Sequence, residues 1–303
     1  MIKLKLAATR RLDLAVLAAL EKNGTPLTRA RLKAMFKAGR ILVNDRQSAP
    51  ADGVKDGDTA AIEGWTAADA TAARAAPSPD GCFLNVVFED NDLLVLDKLS
   101  GVPSIAHSPA ETRTAVGAAL AKCPDLADVG RGGLEPGILH RLDTGTSGLI
   151  VFAKTNAEYE RLRALWTSGG VKKTYRALVR IPPGTPAPVL CVLESPLAHD
   201  PKSSKRMIAL DTPEKLARAK APLPAFTGIT GVQEKADGLF DLTIEIRTGV
   251  MHQIRCHLAS RLWPVLGDKI YKGVPSSRLW LHAWRLGFVL NTGKSIALES
   301  PFG

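Results

Sequence analysis

The sequence predicts an α+β protein in which a small α/β domain precedes a larger domain built on a mixed, mostly antiparallel sheet. The chain has 303 residues, which is enough for two domains of ordinary size. An alanine- and proline-rich stretch, residues 64–81, separates a basic segment, 1–63, from a segment, 82–303, in which short strands outnumber helices. We therefore expect a linker over residues 64–81.

The composition narrows the classes of function. With 45% hydrophobic and 23% charged residues, the chain is not disordered throughout. No apolar run reaches the roughly 18–20 residues that span a bilayer, so an integral membrane protein is excluded. The net charge of +10 favours a polyanionic partner such as nucleic acid. The four cysteines form no Cys-x-x-Cys pair, so we predict neither a zinc site nor a dithiol redox motif.

The basic segment carries six Lys and six Arg against five Asp and two Glu, so half of the net charge lies in about a fifth of the chain. Its first helix is predicted over Arg11–Lys22, with Gly24 just beyond the end. A basic start followed by apolar residues resembles a secretion signal. Asp13 interrupts that run, which favours an amphipathic helix and a cytoplasmic protein.

A second helix is predicted from Thr28, a residue type that caps helix N-termini, to Lys37. Short strands follow at Ile41–Val43 and Thr59–Ile62. Basic side chains recur every four residues of this helix and share one face, which suits a polyanion but also fits an ordinary solvated face. These basic residues are Arg29, Lys33 and Lys37.

Alternation and turn residues predict the elements of the larger segment. A hairpin is predicted at Val86–Phe88 and Leu93–Asp97, around the turn residues 90–92. Further strands are predicted at Leu149–Ala153, Tyr175–Arg180, Phe240–Ile246 and Leu281–Val289. Helices are predicted at Thr114–Lys122, Asn156–Trp166 and His252–Arg261, the last ended by Pro264.

A polar loop at residues 140–148 leads into the apolar strand at 149–153. Within it, Asp143 follows Arg141, and a guanidinium or turn donors near a carboxylate keep it ionised. The same residues are also ordinary turn formers. A glycosidase needs two carboxylates, and Asp143 has no local second. One carboxylate suffices for a reaction without an attacking water, such as isomerisation of a glycosidic bond.

Two further places supply candidate functional side chains. Lys173 and Tyr175 are two apart on a predicted strand, so both can face one site, where a tyrosine can stack on a base or move a proton. A core tyrosine is the alternative. Arg255 and His252 share one helix face, and Arg255 is suited to bind a phosphate or to neutralise Asp143, unless it is a surface residue. His252 and His257 do not share a face, so a helical metal pair is not expected.

These segments resemble three motifs of the RluA-type pseudouridine synthases, and the likeness extends over about residues 83–303. The first motif falls on residues 140–154, with Arg141-Leu142-Asp143 near its start. The second is the Lys-x-Tyr-x-Ala-x-Val pattern that begins at Lys173. The third runs from Thr248 to Arg255 and continues at residues 264–268. Three motifs in the right order are more specific than any one alone.

The resemblance implies a pseudouridine synthase fold and an isomerase that converts uridines of structured RNA to pseudouridine without a metal or an organic cofactor. It implies that Asp143 acts at the ribose C1′ or C2′, that Tyr175 stacks on the uracil and helps to remove its C5 proton, and that Arg255 pairs with the catalytic carboxylate. Arg141 is expected to enter the helix that the target base leaves. His140 and Lys173 are expected to contact RNA.

Residues 9–63 resemble the small RNA-binding domain of the S-four type, which implies that the basic face of the second helix contacts RNA. The appended basic domain favours a large structured RNA, and the family resemblance favours ribosomal over transfer RNA as substrate. We expect the protein to act as a monomer. One departure from the family pattern is Val250, where an Arg is usual. A non-catalytic RNA-binding or ribosome-assembly factor on the same scaffold is therefore the alternative. An N-glycosidase is a third reading, weakened by the missing second carboxylate.

Overall fold

The computed structural model describes residues 1–25, 27, 29–66, 74–236 and 238–302. The chain divides into two compact units, residues 1–74 and 75–303. The middle of the predicted linker, residues 67–73, lies outside the described residues. Its last part lies along the second unit, since the amides of Ala75 and Ser78 donate to the carbonyls of Gly133 and Gly117 at 2.8 and 2.9 Å.

The first unit packs two helices on a four-stranded antiparallel sheet of order β1-β4-β2-β3. Its elements are β1 (Ile2–Lys5), α1 (Leu12–Lys22), α2 (Arg29–Lys37), β2 (Ile41–Val43), β3 (Arg46–Gln47) and β4 (Thr59–Ile62). The apolar faces form one core that includes Leu4, Leu12, Leu20, Leu32 and Ile62. Both predicted helices and both predicted strands are confirmed, whereas β1 and β3 were not predicted. Thr28, the expected cap of α2, and the side chain of Arg29 lie outside the described part of the chain.

The second unit is built on a nine-stranded sheet of order β5-β6-β7-β14-β8-β13-β12-β9, with β15 also paired to β14. A separate hairpin comprises β10 (Leu197–Asp200) and β11 (Ser203–Ala209). The sheet strands are β5 (Asn85–Glu89), β6 (Leu93–Lys98), β7 (Ser147–Ala153), β8 (Lys172–Arg180), β9 (Cys191–Leu193), β12 (Thr227–Ala236), β13 (Leu239–Ile246), β14 (Leu281–Val289) and β15 (Ser295–Glu299). The helices are α3 (Ala115–Lys122), α4 (Asn156–Thr167), α5 (Pro213–Arg218) and α6 (Gln253–Ser260), with a short 3₁₀ helix at Pro124–Asp128. Among the described strands, only β7 and β14 pair in parallel, which confirms a mixed, mostly antiparallel sheet.

Local side-chain bonds explain where several of these elements begin. Asp90 forms the predicted β5–β6 turn, because its carboxylate accepts from the amides of Asp92 and Leu93 at 2.8 and 2.7 Å. The Thr114 hydroxyl accepts from the amide of Gly117 at 2.9 Å and caps α3. These are the signals on which the sequence prediction depended, and the predicted boundaries agree closely with the observed ones.

The order of three strands brings two predicted site residues close together. In β14, Ala283 pairs with Gly148 of β7 on one side and with Tyr175 of β8 on the other. Gly148 has φ +109°, and a Cβ there would lie 2.3 Å from the carbonyl oxygen of Ala283, so only glycine allows this approach. The loop that precedes β7, which contains Asp143, is therefore one strand away from Tyr175.

Candidate active site

Asp143 lies in the loop before β7, and a short segment after β6 holds this loop. The buried Ser104 hydroxyl donates to the carbonyl of Leu142 at 2.7 Å and accepts from the Leu142 amide at 2.9 Å. Beyond Asp143, the Ser100 hydroxyl donates to the carbonyl of Gly145 at 2.7 Å. The loop backbone is therefore fixed on both sides of Asp143.

A buried lysine supports the same loop. Nζ of Lys98 donates to the carbonyls of Leu99, Val102 and Thr144 at 3.1, 2.7 and 3.2 Å. Lys98 is fully buried, and this burial lowers its pKa to about 7, although the negative charge of Asp143 opposes the shift. Lys98 therefore supports the loop from a position where burial favours the loss of its proton near neutral pH.

The carboxylate of Asp143 pairs with Arg255. Nη1 of Arg255 donates to Oδ2 of Asp143 at 2.7 Å, and Nε2 of His252 lies 3.8 Å from the same oxygen. The Asp143 side chain is 26% exposed and that of Arg255 only 7%. The guanidinium beside Asp143 is therefore Arg255 from α6. Arg141, the neighbour in sequence, is exposed and pairs with Glu135 at 3.4 Å.

Arg255 is held from behind by a second carboxylate. Its Nε and Nη2 donate to Oδ2 and Oδ1 of Asp268 at 2.7 and 2.9 Å, and the Asp268 side chain has no exposed surface. Oδ1 of Asp268 also accepts from the amides of Ile270 and Tyr271 at 3.0 and 3.1 Å. Burial acts to lower the pKa of Arg255, but the bonds to Asp268 and the charge of Asp143 outweigh it and raise that pKa above its ordinary value.

Tyr175 lies buried on β8, in a core cluster with Leu142 and Ala283. Burial, and then the negative charge of Asp143, raise the pKa of its phenol, so Tyr175 is neutral at physiological pH. Lys173, on the same face of β8, is half-buried, and its Nζ donates to the carbonyl of Arg247 at 3.5 Å. Burial lowers the pKa of Lys173.

His252 has a backbone conformation that residues other than glycine rarely adopt. It caps α6 with φ +54°, a left-handed geometry that costs on the order of 1–3 kcal/mol away from glycine. Nδ1 of His252 lies 3.4 Å from the Tyr271 hydroxyl, which also accepts from the Met207 amide at 2.9 Å. Burial lowers the pKa of His252, with the charge of Asp143 opposing. Tyr271 thus connects hairpin β10–β11 to the residue beside Asp143.

Two other polar clusters have structural explanations. The Ser147 hydroxyl lies 2.8 Å from Nδ1 of His282, and both residues are buried where β7 meets β14, so the pair joins strands rather than forming an acyl-transfer nucleophile. His257 is buried between the Thr227 hydroxyl and the Ser195 carbonyl, each at 2.8 Å. Across the described ranges, no group of three or more His, Cys, Asp or Glu side chains is arranged to hold a metal.

The predicted RNA-contacting residues lie in different environments. Lys33 and Lys37 are exposed on α2. The His140 ring stacks on Trp166 with centroids 5.1 Å apart, and its buried Nε2 has no hydrogen-bond partner among the described residues. Burial, together with the charge of Lys173, lowers the pKa of His140 to about 3, so this imidazole is neutral and contact with RNA stays a prediction.

Residues 92–260, more than half of the chain, match the family model described as RNA pseudouridylate synthase. The chain belongs to this family. A relative from Neisseria meningitidis, named ribosomal large subunit pseudouridine synthase D, is 30% identical over 291 residues, covering 90% of this chain and 72% of the relative. A relative of the same name from Zymomonas mobilis is 31% identical over 284 residues, covering 88% of this chain and 82% of its own.

Solved structures support the fold of this RNA pseudouridylate synthase. The human RNA pseudouridylate synthase domain containing 1 matches with a TM-score of 0.57 at 20% identity, covering 73% of this chain and 84% of that one. The human domain containing 4 matches with a TM-score of 0.53 at 19% identity, covering 72% and 88%. The predicted fold class, family and isomerase activity on RNA are therefore confirmed. In the described part of the synthase, no helix has both the length and the apolar character needed to cross a membrane.

Sequence reasoning missed several residues that shape the site of this synthase. Asp268 was noted only as part of the third motif, and its pairing with Arg255 needs the fold to become visible. Lys98 ends strand β6, in which four apolar residues precede Asp97, and a lysine at the end of such a strand is a detectable signal. Ser104 carries no signal in the sequence, because a serine in a loop is ordinary. Val250, where the family usually has Arg, packs partly buried against the cluster that contains Met207.

Proposed function

We propose that the protein isomerises specific uridines of ribosomal RNA to pseudouridine, with Asp143 as the catalytic carboxylate. The observation that carries this proposal is the Asp143–Arg255 pair, 2.7 Å apart and one strand away from Tyr175, in a chain of the RNA pseudouridylate synthase family. The names of the relatives, which specify the large ribosomal subunit, support ribosomal RNA as the substrate.

The reaction exchanges one glycosidic bond for another. Asp143 acts at the ribose while the bond between C1′ and N1 breaks. The uracil then turns, a bond forms between C1′ and C5, the C5 proton leaves, and N1 gains a proton. No water attacks, so a single carboxylate is enough. Arg255 binds Asp143 and keeps it oriented beside the ribose.

Tyr175 contributes as a neutral phenol. Its ring is suited to stack against the uracil, since a buried aromatic face binds any base. Burial and the charge of Asp143 raise the pKa of Tyr175, so its hydroxyl carries a proton. The hydroxyl can therefore take the C5 proton only if it gives up its own proton in the same step. This makes Tyr175 a proton relay rather than a permanent anion.

The RNA must present its uridine outside the stack, which costs a few kcal/mol. The Arg141 side chain is 64% exposed beside the Asp143 loop and is suited to occupy the space that the base leaves. Lys173 and His140 line the same region. The first unit, taken as an S-four-type domain over residues 1–63, adds phosphate contacts through Lys33, Lys37 and Arg29. The protein acts as a cytoplasmic monomer in this proposal.

Tritium release tests the proposal. Ribosomal and transfer RNA labelled at uridine C5 are incubated separately with the wild type and with Asp143→Ala. We expect release from ribosomal RNA by the wild type only. Release from transfer RNA alone would reject the substrate, and equal release by Asp143→Ala would reject the catalytic role. Free uracil as product would instead indicate an N-glycosidase.

A further inference from the structure

The guanidinium of Arg255 is shared by two carboxylates. Asp268 accepts hydrogen bonds from Nε and Nη2 in a bidentate interaction, and Asp143 accepts a hydrogen bond from Nη1 alone. The planar five-donor guanidinium allows this division, which a lysine does not. One cation therefore faces two anions in a site where Arg255 and Asp268 are almost fully buried.

Asp268 cannot adapt to a change in Arg255. Its Oδ1 already accepts two backbone amides, those of Ile270 and Tyr271, and its side chain is fully enclosed. A buried carboxylate that is held by two backbone amides fixes the plane of the guanidinium that it binds in bidentate geometry. The direction in which Nη1 points at Asp143 is therefore set from the Asp268 side.

We propose that Asp268 is a positioning residue for the isomerisation, which aims Arg255 so that it binds only one oxygen of Asp143 and takes up part of its charge. Both described polar contacts of the Asp143 carboxylate, from Arg255 and His252, are to Oδ2. Oδ1 then remains for the ribose. The inference rests on the catalytic role proposed for Asp143.

The electrostatic part follows from the groups that surround Asp143. Without Asp268, the whole positive charge of Arg255 would attract the Asp143 carboxylate and make it less reactive toward the ribose. The second anion reduces that attraction. The charged or titratable groups that act on Asp143 come from α6 and its cap, from β8, from β6 and from the loop after α6. They are Arg255, His252, Tyr175, Lys98 and Asp268.

The chain offers a matched control for this pair. Asp241 of β13 is also buried and binds Arg176 of β8 through Nε and Nη2. Arg176 follows Tyr175 directly, so on the strand it points to the opposite face of the sheet. Asp241→Asn therefore disrupts a bidentate arginine pair with a buried carboxylate in the same unit without reaching Asp143.

The test compares Asp268→Asn with Asp241→Asn in the full chain, by steady-state tritium release over a range of RNA concentrations. Asn keeps the shape but presents an amide where Arg255 needs an acceptor. We expect kcat of Asp268→Asn to fall by about 100-fold, as for an angstrom-scale misplacement, with KM within about twofold. Asp241→Asn should retain the wild-type kcat and KM.

A wild-type kcat in folded Asp268→Asn would overturn the proposal, as would an equal loss of kcat in Asp241→Asn. If Asp268→Asn does not fold, Asp268→Glu decides, because it retains the charge but displaces it. The proposal requires that Asp268→Glu reduce kcat at least tenfold with KM within about twofold, and a wild-type kcat contradicts it. Failure of the wild type itself to release tritium would reject the proposed function instead, which distinguishes the two outcomes.

Discussion

Two arginine–aspartate pairs, each with a buried carboxylate, lie on opposite faces of the same sheet and have different consequences. Arg176 and Asp241 form an ion pair, and Nζ of Lys235 lies 3.9 Å from the same carboxylate, so two cations face one carboxylate there. Arg255 serves Asp268 and also Asp143, so negative charge is in excess. The same two residue types, arginine and aspartate, form a purely structural pair at one site. At the other site the arginine also binds a second, reactive carboxylate. Function follows from the imbalance of charge rather than from the pair itself.

The largest effect should come from removing each arginine in turn. Arg255→Met removes the guanidinium from two carboxylates, and Arg176→Met removes it from one carboxylate that keeps Lys235 at 3.9 Å. Arg255→Met should lower the free energy of unfolding by on the order of 3–5 kcal/mol, because a buried charge loses its partner, and Arg176→Met should lower it by less. Only Arg255→Met should also lower kcat, by about 10³-fold or more.

Urea unfolding and tritium release measure the two effects of these substitutions. The assay is run at a temperature where circular dichroism shows both variants to be folded. A comparable loss of kcat in Arg176→Met would remove the difference between the two faces of the sheet.

A second comparison concerns buried charge beside Asp143. The pKa of Lys98 is lowered to about 7 by burial, whereas an unfolded lysine titrates near 10.5. Between these values the unfolded state binds one more proton than the native state, so Lys98 makes stability rise with pH. Below pH 7 the native state bears the full energetic cost of burying the Lys98 cation, and above pH 10.5 this cost is absent.

Lys98→Met should abolish this contribution. The stability of the wild type relative to Lys98→Met is expected to increase by up to about 1.4 kcal/mol for each pH unit between pH 7 and 10. Urea unfolding at pH 6, 8 and 9.5 measures it. Lys172→Met, at an exposed position on β8, should change stability by less than about 0.5 kcal/mol at each pH. A pH-independent difference for Lys98→Met would contradict the assignment.

Two equally buried serines offer a smaller contrast. Ser104 and Ser78 are each 5% exposed, but only Ser104 bonds the residue before Asp143. Ser104→Ala and Ser78→Ala should each cost about 1–2 kcal/mol of stability. Ser104→Ala should in addition lower kcat about tenfold without raising KM, because the loop loses a restraint. Steady-state tritium release separates kcat from KM, and equal kcat values for the two variants would show that Ser104 is only structural.

The smallest effect should come from the exposed lysines of α2. Lys33→Gln combined with Lys37→Gln removes two phosphate contacts in the proposed RNA interface. The slope of log affinity against log salt should become shallower by about 1.4–1.8, as two fewer counterions are released. Filter binding to ribosomal RNA at several salt concentrations measures the slope, while kcat at saturating RNA should stay unchanged. An unaltered slope would place the RNA elsewhere on the chain.

Much of the fold could be predicted because its signals are local. Helix α1 is a mostly apolar stretch that ends near Gly24, strand β14 is rich in apolar residues, and the β5–β6 turn has its Asp90 acceptor next to the donors. The region from β9 to β12 was missed because its strands are short or polar, and β12 contains two glycines and few large apolar residues. Strand β1 was taken for a basic lead into α1, since its alternation extends over only four residues.

The residues of the site were likewise predictable only where their signals are local. Asp143, Tyr175 and Arg255 could be proposed from motifs because each stands in a recognisable segment. The double role of Arg255 could not, because Asp143 lies 112 residues away in the chain and Asp268 is recognisable as a partner only after α6 is folded. The nearest arginine in sequence, Arg141, proved to be bound to Glu135 instead. Spacing along the chain identifies the chemical groups, whereas the fold determines which of them share a charge.

The central claim, that the excess charge on Asp143 performs the isomerisation, is tested most directly by Asp143→Asn. This change removes the charge and keeps an oxygen that can accept from Nη1 of Arg255. Ribosomal RNA treated with each protein is digested to nucleosides and separated by chromatography. We expect pseudouridine from the wild type, none above background from Asp143→Asn, and equal RNA binding by both. Equal amounts of pseudouridine from the two proteins would contradict the account.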